Sequence, residues 1–232
     1  IKNLPDAISE LLTNLASTFR SDFTNNYSII YTYLSLYLKN DSSVSQMYLA
    51  ELLENEGKYK KANDLYKKIS KGSRFDWHAR LREARNLEII GEHKKSVDQL
   101  ERMSKEKPNR YDSLQLLGDI YRNYDKYVKA INVYNQAFDR IDTLEKSHWE
   151  LLYSRGMAYE RSGKWVLAEK DFLQVVNFVP NEADVLNYLG YSWIEKGINI
   201  EEAKKLIIKA AKIRPRDPYI IDSLGWVYYK LE

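Results

Sequence analysis

The side chains that could do chemistry in this chain are few, and their spacing is poor for it. The 232 residues include no cysteine, which excludes disulfides, thiolate nucleophiles and thiolate-bound zinc. The three histidines, His78, His93 and His148, have neither the i,i+4 spacing nor the short-loop spacing of metal ligands. They are better explained as surface or turn residues. We therefore expect no metal site and no cofactor.

Phosphate-binding and nucleophilic motifs are also missing. Gly57-Lys58 and Gly163-Lys164 resemble fragments of a phosphate-binding loop, but neither has the upstream glycine or the following Ser or Thr. No serine lies in a nucleophile-elbow pattern, and no pair of carboxylates stands out in an apolar setting. The sequence therefore predicts a protein that is not an enzyme.

The composition favours a folded helical protein. Hydrophobic residues make up 44% and charged residues 30%, while nine glycines and five prolines leave few turns. No run approaches the roughly 18 apolar residues of a membrane span. A net charge of +3 gives no electrostatic case for binding nucleic acid or an anionic membrane. A chain without cysteine fits either the cytoplasm or the periplasm.

One pattern recurs along the chain and organises it. Four glycines are each followed three residues later by an aromatic residue: Gly118 by Tyr121, Gly156 by Tyr159, Gly190 by Trp193 and Gly225 by Tyr228. After the first three glycines, an alanine follows at twelve or thirteen residues and a bulky apolar residue four positions later. Gly156 and Gly190 are 34 residues apart, and Gly190 and Gly225 are 35 apart. A period of this length indicates a stack of helical hairpins.

The spacing resembles the tetratricopeptide repeat (TPR), with its small-x-x-aromatic, Ala-x-x-x-aromatic and Pro positions. The resemblance extends over nearly the whole chain. In its C-terminal repeats the chain is similar to long bacterial multi-repeat members of the family. It implies an all-α fold, a right-handed α-solenoid of antiparallel helix pairs with about thirteen helices. The repeats, all in one solenoid domain, are predicted at 1–42 (a degenerate hairpin), 43–76, 77–110, 111–144, 149–182, 183–217 and 218–232 (a first helix only).

Local signals predict how the helices begin and end. Gly57, Gly91, Gly163 and Gly197 occupy the turn within a repeat, where a left-handed residue can end the first helix. Ser43 with Gln46, and Ser147 with Glu150, have the spacing of a capping box. Asp217 precedes a proline and is predicted to cap the last helix.

The resemblance also implies where a partner binds, since the first helices of a TPR array line a concave face. The matching positions give a groove that is charged toward the N-terminus and aromatic toward the C-terminus. The candidate partner-binding residues are Arg82, Arg85, Asp119, Arg122, Tyr153, Asn187, Tyr188, Tyr191, Tyr219, Trp226 and Tyr229. Each aromatic residue among them either contacts a partner or packs between neighbouring first helices. No helix carries the Lys and Asn pair of the carboxylate-clamp TPRs, which argues against a chaperone-tail ligand.

We therefore expect a protein–protein interaction scaffold that holds a peptide or protein segment in the concave groove. One alternative is the non-catalytic TPR portion of a larger enzyme or regulator. Another is an RNA-binding helical repeat, which acidic groove residues such as Asp112 and Glu160 disfavour. Residues 218–232 lack a second helix, which predicts an excised fragment with an exposed apolar strip. Self-association through that C-terminal half unit is a further expectation.

Overall fold

The structure is a computed structural model that describes residues 3–19 and 25–231. Within those residues it contains thirteen α-helices, one 3-10 turn at Lys146–His148 and no strand. The helices are α1 (Leu4–Ala16), α2 (Asn25–Leu38), α3 (Ser43–Asn55), α4 (Tyr59–Tyr66), α5 (Asp76–Ile89), α6 (His93–Glu106), α7 (Asp112–Asn123), α8 (Tyr127–Phe138), α9 (Trp149–Arg161), α10 (Trp165–Phe178), α11 (Ala183–Lys196), α12 (Ile200–Ile213) and α13 (Pro218–Leu231). Residues 1, 2 and 20–24 of the predicted segment 1–42, and residue 232 of the predicted segment 218–232, lie outside the described ranges.

The helices form two compact units, Ile1–Lys107 with α1 to α6 and Pro108–Glu232 with α7 to α13. Within each unit, consecutive helices pack as antiparallel pairs, because the apolar positions of each helix recur at helical spacing. In the first unit, a core cluster joins α3 and α4 through residues such as Leu49, Leu53 and Tyr66. In the second unit, clusters join α9 to α11 and α11 to α13 through residues such as Leu152 and Leu186.

Glycines in the second unit let paired helices approach closely, as the repeat pattern predicts. A Cβ built on Gly118 would lie 2.3 Å from the ring of Tyr134, and one on Gly156 would lie 2.6 Å from the ring of Phe172. Both rings are fully buried. The first helix of each pair therefore has a hole that a large side chain of the second helix fills.

The turn glycines have the predicted left-handed backbone. The φ angles of Gly57, Gly91, Gly163 and Gly197 lie between 66° and 81°. In the 111–144 repeat the same position is held by Asp125, with a φ of 56°. The sequence has no glycine at this turn to mark the end of the helix. Aspartate nevertheless tolerates the left-handed region better than most residues.

Of the predicted helix caps, one is confirmed and two are wrong. The Asp217 carboxylate accepts hydrogen bonds from the backbone N–H groups of Tyr219 and Ile220. At α3 the cap is Ser42 and not Ser43, because the chain is still extended at Ser42. At the third site the capping box joins Glu145, the residue before the 3-10 turn, to His148, the last residue of that turn. The predicted pair of Ser147 and Glu150 does not form.

Candidate partner-binding groove

Two of the predicted groove tyrosines form the wall of an aromatic cluster in the second unit. Tyr153 on α9 lies edge-on to Tyr188 on α11, with ring centroids 5.8 Å apart, and both rings contact the buried Phe172 on α10. Burial raises the pKa of Tyr188 to about 12 and also raises the pKa of Tyr153. These two rings therefore pack between helices and give the groove a rigid apolar floor.

The other predicted aromatics are more accessible. Tyr191 on α11 is 40% exposed, and Tyr219 on α13 is largely exposed. Trp226 stacks on Tyr229 with ring centroids 5.4 Å apart and donates its indole N–H to Glu195. Tyr191 and Tyr219 can therefore gain contact area from a partner, whereas Trp226 already has partners on α11 and α13.

A cavity of about 560 Å³ joins these side chains in the second unit. Its lining comes from α9, α11, α13 and the residue before α13, and it contains three carboxylates but no Lys or Arg. The lining residues are Tyr153, Asp184, Asn187, Tyr188, Tyr191, Asp217, Tyr219, Ile220, Asp222 and Ser223. The cavity thus has aromatic walls and a negatively charged rim, and we name it the acidic cavity.

The polar groups of this cavity are not all satisfied. Asp184 is paired with Arg214 at 2.8 Å, and Asp217 caps α13. Asp222 makes no hydrogen bond or ion pair with any described residue. The amide oxygen Oδ1 of Asn187 is buried, and no described group donates to it. The acidic cavity therefore offers one exposed carboxylate, that of Asp222, to a ligand that donates hydrogen bonds.

A second cavity, of about 340 Å³, has the opposite charge character and shares Tyr188 with the first. It is lined by Arg122, Asn123, Asp125, Tyr127, Met157, Arg161 and Tyr188. The Nε atom of Arg122 is buried without a hydrogen-bond acceptor, and its Nη2 lies 3.8 Å from Asp119. Asp119 also accepts a hydrogen bond from the hydroxyl of Tyr134, so this predicted site residue helps to hold the pair of helices together.

The two predicted arginines of the first unit have different environments. Arg82 on α5 forms an ion pair with Glu54 on α3, and Asn86 donates a second hydrogen bond to that carboxylate. Arg85 is exposed. Arg82 is therefore already used to join α3 to α5, and only Arg85 is open to a partner.

Five of the eleven predicted residues line the acidic cavity, namely Tyr153, Asn187, Tyr188, Tyr191 and Tyr219. The carboxylates that give this cavity its charge are Asp184, Asp217 and Asp222, and of these only Asp222 lies at a first-helix position that the sequence assigns to the concave face. The sequence predicts the cap at Asp217, but the convergence of Asp184 on α11 with Asp217 and Asp222 depends on the packing of α11 against α13. Such convergence is not encoded in the spacing along one helix.

The comparisons with known proteins support the repeat pattern. No family model matches the chain. A TPR repeat-containing protein of Pseudomonas aeruginosa is 30% identical over 183 residues, which cover 78% of this chain and 30% of that protein. The chain therefore spans less than a third of the length of this curated relative.

Solved structures show the same fold at low sequence identity. Yeast Tom70 matches 96% of this chain and 47% of its own chain, with a TM-score of 0.78 at 13% identity. A chain of the APC/C hetero-tetramer Cut9–Hcn1 matches over 97% of this chain and 43% of its own, with a TM-score of 0.73 at 16% identity. The fold class, an all-α TPR solenoid, is confirmed.

The chain thus has the fold of the tetratricopeptide-repeat proteins and resembles a long bacterial member of that family over 183 residues. Proteins of this family are generally non-catalytic scaffolds for protein interactions, and one of the structural neighbours forms part of a hetero-tetramer. Among the described residues, no helix has the length and apolar character needed to cross a bilayer.

Proposed function

We propose that this chain is an interaction scaffold that binds a peptide or protein segment in the groove of its second unit. The observation that carries the proposal is the acidic cavity, because a rigid aromatic floor lies beside an exposed carboxylate, Asp222, that has no partner among the described residues. The rings of Tyr153 and Tyr188 are held in place by packing, so a ligand would not have to order them. The exposed ring of Tyr191 offers new contact area at low rotamer cost.

The charge of the cavity favours a segment that carries a lysine or arginine. Its lining has three carboxylates and no cation, and Asp222 has no partner among the described residues. A cationic side chain could lie over the tyrosine rings while it donates to the carboxylate of Asp222. The same carboxylates would repel the phosphates of a nucleic acid, so the RNA-binding alternative is disfavoured here.

The proposal can be tested with peptides selected from a random display library against the full 232-residue chain. We expect the selected peptides to be enriched in Lys and Arg. Replacing Tyr191 by alanine should weaken their binding by about 2 kcal/mol, roughly thirtyfold in Kd, since a central exposed aromatic is a typical hot spot. Isothermal titration calorimetry measures the change.

Tyr124 provides a matched control for this experiment. It is also 40% exposed, but it lines neither of the two cavities. Tyr124→Ala should leave the affinity within about twofold, as expected for a position outside an interface. If Tyr191→Ala and Tyr124→Ala had the same effect, the acidic cavity would be the wrong site.

A second prediction concerns the carboxylate without a partner. Asp222→Asn should weaken binding of a lysine-bearing peptide by about 1 kcal/mol or less, since the group lies at an exposed rim. It should also reduce the dependence of the association rate on salt, because the neutral amide no longer attracts the cation. Stopped-flow measurements at two salt concentrations test this, with Glu201→Gln on α12 as the control. An unchanged salt dependence in Asp222→Asn would argue against a cationic ligand.

A further inference from the structure

The outward side of α2 differs from that of every other second helix of a repeat. Four of its residues, which we name the α2 outer face, are Tyr27, Ile30, Leu34 and Tyr37, and all are exposed. The positions one repeat period later are Lys61 and Asp64 in α4, and Lys68 and Lys71 beyond the end of that helix. In the later repeats the same positions hold Lys95, Asp98, Arg102 and Lys105; Lys129, Asn132, Gln136 and Asp139; Leu167, Lys170, Gln174 and Asn177; and Glu202, Lys205, Lys209 and Lys212. Nineteen of these twenty residues are polar or charged. The register that faces water in the other repeats is therefore apolar in α2.

The buried side of α2 is as unusual as its exposed side. Ser28, Thr32 and Ser35 recur at helical spacing and are fully buried. The Ser35 hydroxyl lies 2.8 Å from the hydroxyl of Ser9 on α1 and 2.9 Å from that of Ser45 on α3. Each of these hydroxyls has hydrogen-bond partners, so its burial is tolerated. Helix α2 thus buries a row of hydroxyl side chains and exposes the four apolar residues of its outer face, while Ile29 and Leu36 pack partly buried against the core.

Helix α1, which packs against α2, also buries hydroxyl side chains and exposes apolar ones. Its buried residues are Ser9, Thr13 and Ala16, whereas its exposed residues include Leu4 and Leu11. Four exposed apolar residues on the α2 outer face are more than the scattered single apolar residues of an ordinary surface. Such a concentration is typical of a surface that is covered in the functional state.

The charges on α1 and α2 indicate whether the α2 outer face binds a lipid surface or a protein. Helices that lie on membranes usually carry Lys and Arg, which attract anionic lipids. Neither Leu4–Ala16 nor Asn25–Leu38 contains a single Lys or Arg, and α1 carries Asp6 and Glu10 instead. Tyrosine and leucine without cations are the composition of a protein interface, and interfaces between identical chains are the most apolar.

The spacing of the α2 outer face fits a second copy of the same helix. Its residues follow one another at intervals of three, four and three, which is the spacing of a seam between two helices packed side by side. In a two-fold pair the same face of both copies is brought together, so a face rich in one charge would oppose like charges. The face has no charged residue, whereas lysines at the same register in α4 and α6 would repel their copies.

The exposed apolar area of α1 and α2 is of the same order as the area that a standard protein interface buries on each partner. Burying a tyrosine removes 150–250 Å² from water, and Tyr27, Tyr33 and Tyr37 on α2 are 55%, 50% and 87% exposed. These three residues alone offer roughly 300–500 Å², against about 800 Å² per partner in a standard interface. Ile30, Leu34 and the exposed leucines of α1 provide further apolar area.

We propose that the α2 outer face is a homodimer interface, in which two copies of this chain pack α2 against α2. The proposal does not depend on groove binding, because α2 lies in the first unit and the acidic cavity lies in the second. It also differs from self-association through α13, since it uses another helix of the chain.

The test is the mass of the full chain in solution, measured by light scattering and sedimentation between about 1 and 100 µM, a range that covers ordinary dimer affinities. We expect twice the chain mass of 27.4 kDa at the upper concentrations. The double variant Ile30→Asp with Leu34→Lys gives α2 the residue types of Asp64 and Lys68, which hold the same positions one repeat later. It also adds a favourable i,i+4 ion pair. It should raise the dimer dissociation constant by at least about 100-fold while the helical circular dichroism signal stays unchanged.

Two matched variants keep the test decisive. Leu167→Lys on α10 replaces a leucine of nearly the same exposure as Leu34, 45% against 46%, and should leave the dimer intact. Ile221→Lys on α13 should also leave it intact. A monomer at 100 µM would overturn the proposal, whether or not the chain then bound phosphatidylcholine vesicles. A dimer that Ile221→Lys breaks and the α2 double variant does not would overturn it as well.

Discussion

Replacing Gly118 by alanine is expected to lower the free energy of unfolding by about 3 kcal/mol, near the upper end of typical overpacking costs. The new methyl group would lie 2.3 Å from the ring of Tyr134, far inside van der Waals contact. The ring cannot move away easily, because it is fully buried and its hydroxyl donates a hydrogen bond to Asp119 at 2.7 Å. Thermal and urea denaturation followed by circular dichroism measure the effect.

Gly225 is the matched control, since it holds the same repeat position in α13 but has no heavy atom within 4 Å of an added Cβ. Gly225→Ala should raise the free energy of unfolding by about 0.5–1 kcal/mol, because alanine favours the helix over glycine. The two alanine variants should therefore shift the melting temperature in opposite directions. Shifts of the same sign would contradict the packing described for α7 and α8.

The second large effect is expected at the buried ion pair of the second unit. Arg155 on α9 donates two hydrogen bonds of 2.8 Å to Asp171 on α10, and its guanidinium lies 3.9 Å from the centre of the Phe138 ring. Arg155→Met keeps most of the side-chain volume but leaves a buried carboxylate without its partner. We expect a loss of about 3–5 kcal/mol at pH 7, measured by urea denaturation.

The loss should depend on pH in a defined direction. Burial raises the pKa of Asp171, so the folded state holds its proton more strongly than the unfolded state does. The cost of Arg155→Met should therefore shrink as the pH is lowered and the carboxyl takes up a proton. A cost that grew toward low pH would show that Asp171 is not the destabilised group.

An exposed ion pair gives the comparison. Arg214 pairs with Asp184 at 2.8 Å, but both side chains are accessible to water. Arg214→Met should lower the free energy of unfolding far less than Arg155→Met does, since exposed pairs contribute little. Equal effects of the two methionine variants would mean that burial of the pair at Arg155 contributes nothing.

The sequence was sufficient to predict the repeat, because its signals are local and recur. Gly118 and Gly156 lie where paired helices must approach, and the turn glycines need a left-handed backbone that few residues adopt. Asp125 takes the same conformation, but aspartate is common in other settings and therefore carries a weaker signal. The choice between Ser42 and Ser43 as cap depends on one residue's backbone angles, which pattern spacing does not determine.

The candidate site was predictable only in outline. Helical register placed Tyr188 and Tyr191 on α11, but it could not tell that one ring packs into an aromatic cluster and the other stays exposed. Nor did register show that Arg82 pairs with Glu54 from the preceding repeat. These outcomes depend on side-chain contacts between helices, as does the hydroxyl network in which Ser35 on α2 meets Ser9 on α1 and Ser45 on α3.

The central claim, that the groove of the second unit holds a peptide segment, is tested most directly by site-specific photo-crosslinking. A benzophenone amino acid would be placed in turn at Tyr191, at Tyr219 and, as the reference on the outward side of α10, at Lys170. Each protein would be irradiated with a fluorescent peptide selected from the display library. We expect crosslinks from the positions of Tyr191 and Tyr219, which line the acidic cavity, and none from Lys170. Crosslinking from the position of Lys170, with none from the two cavity positions, would contradict the claim.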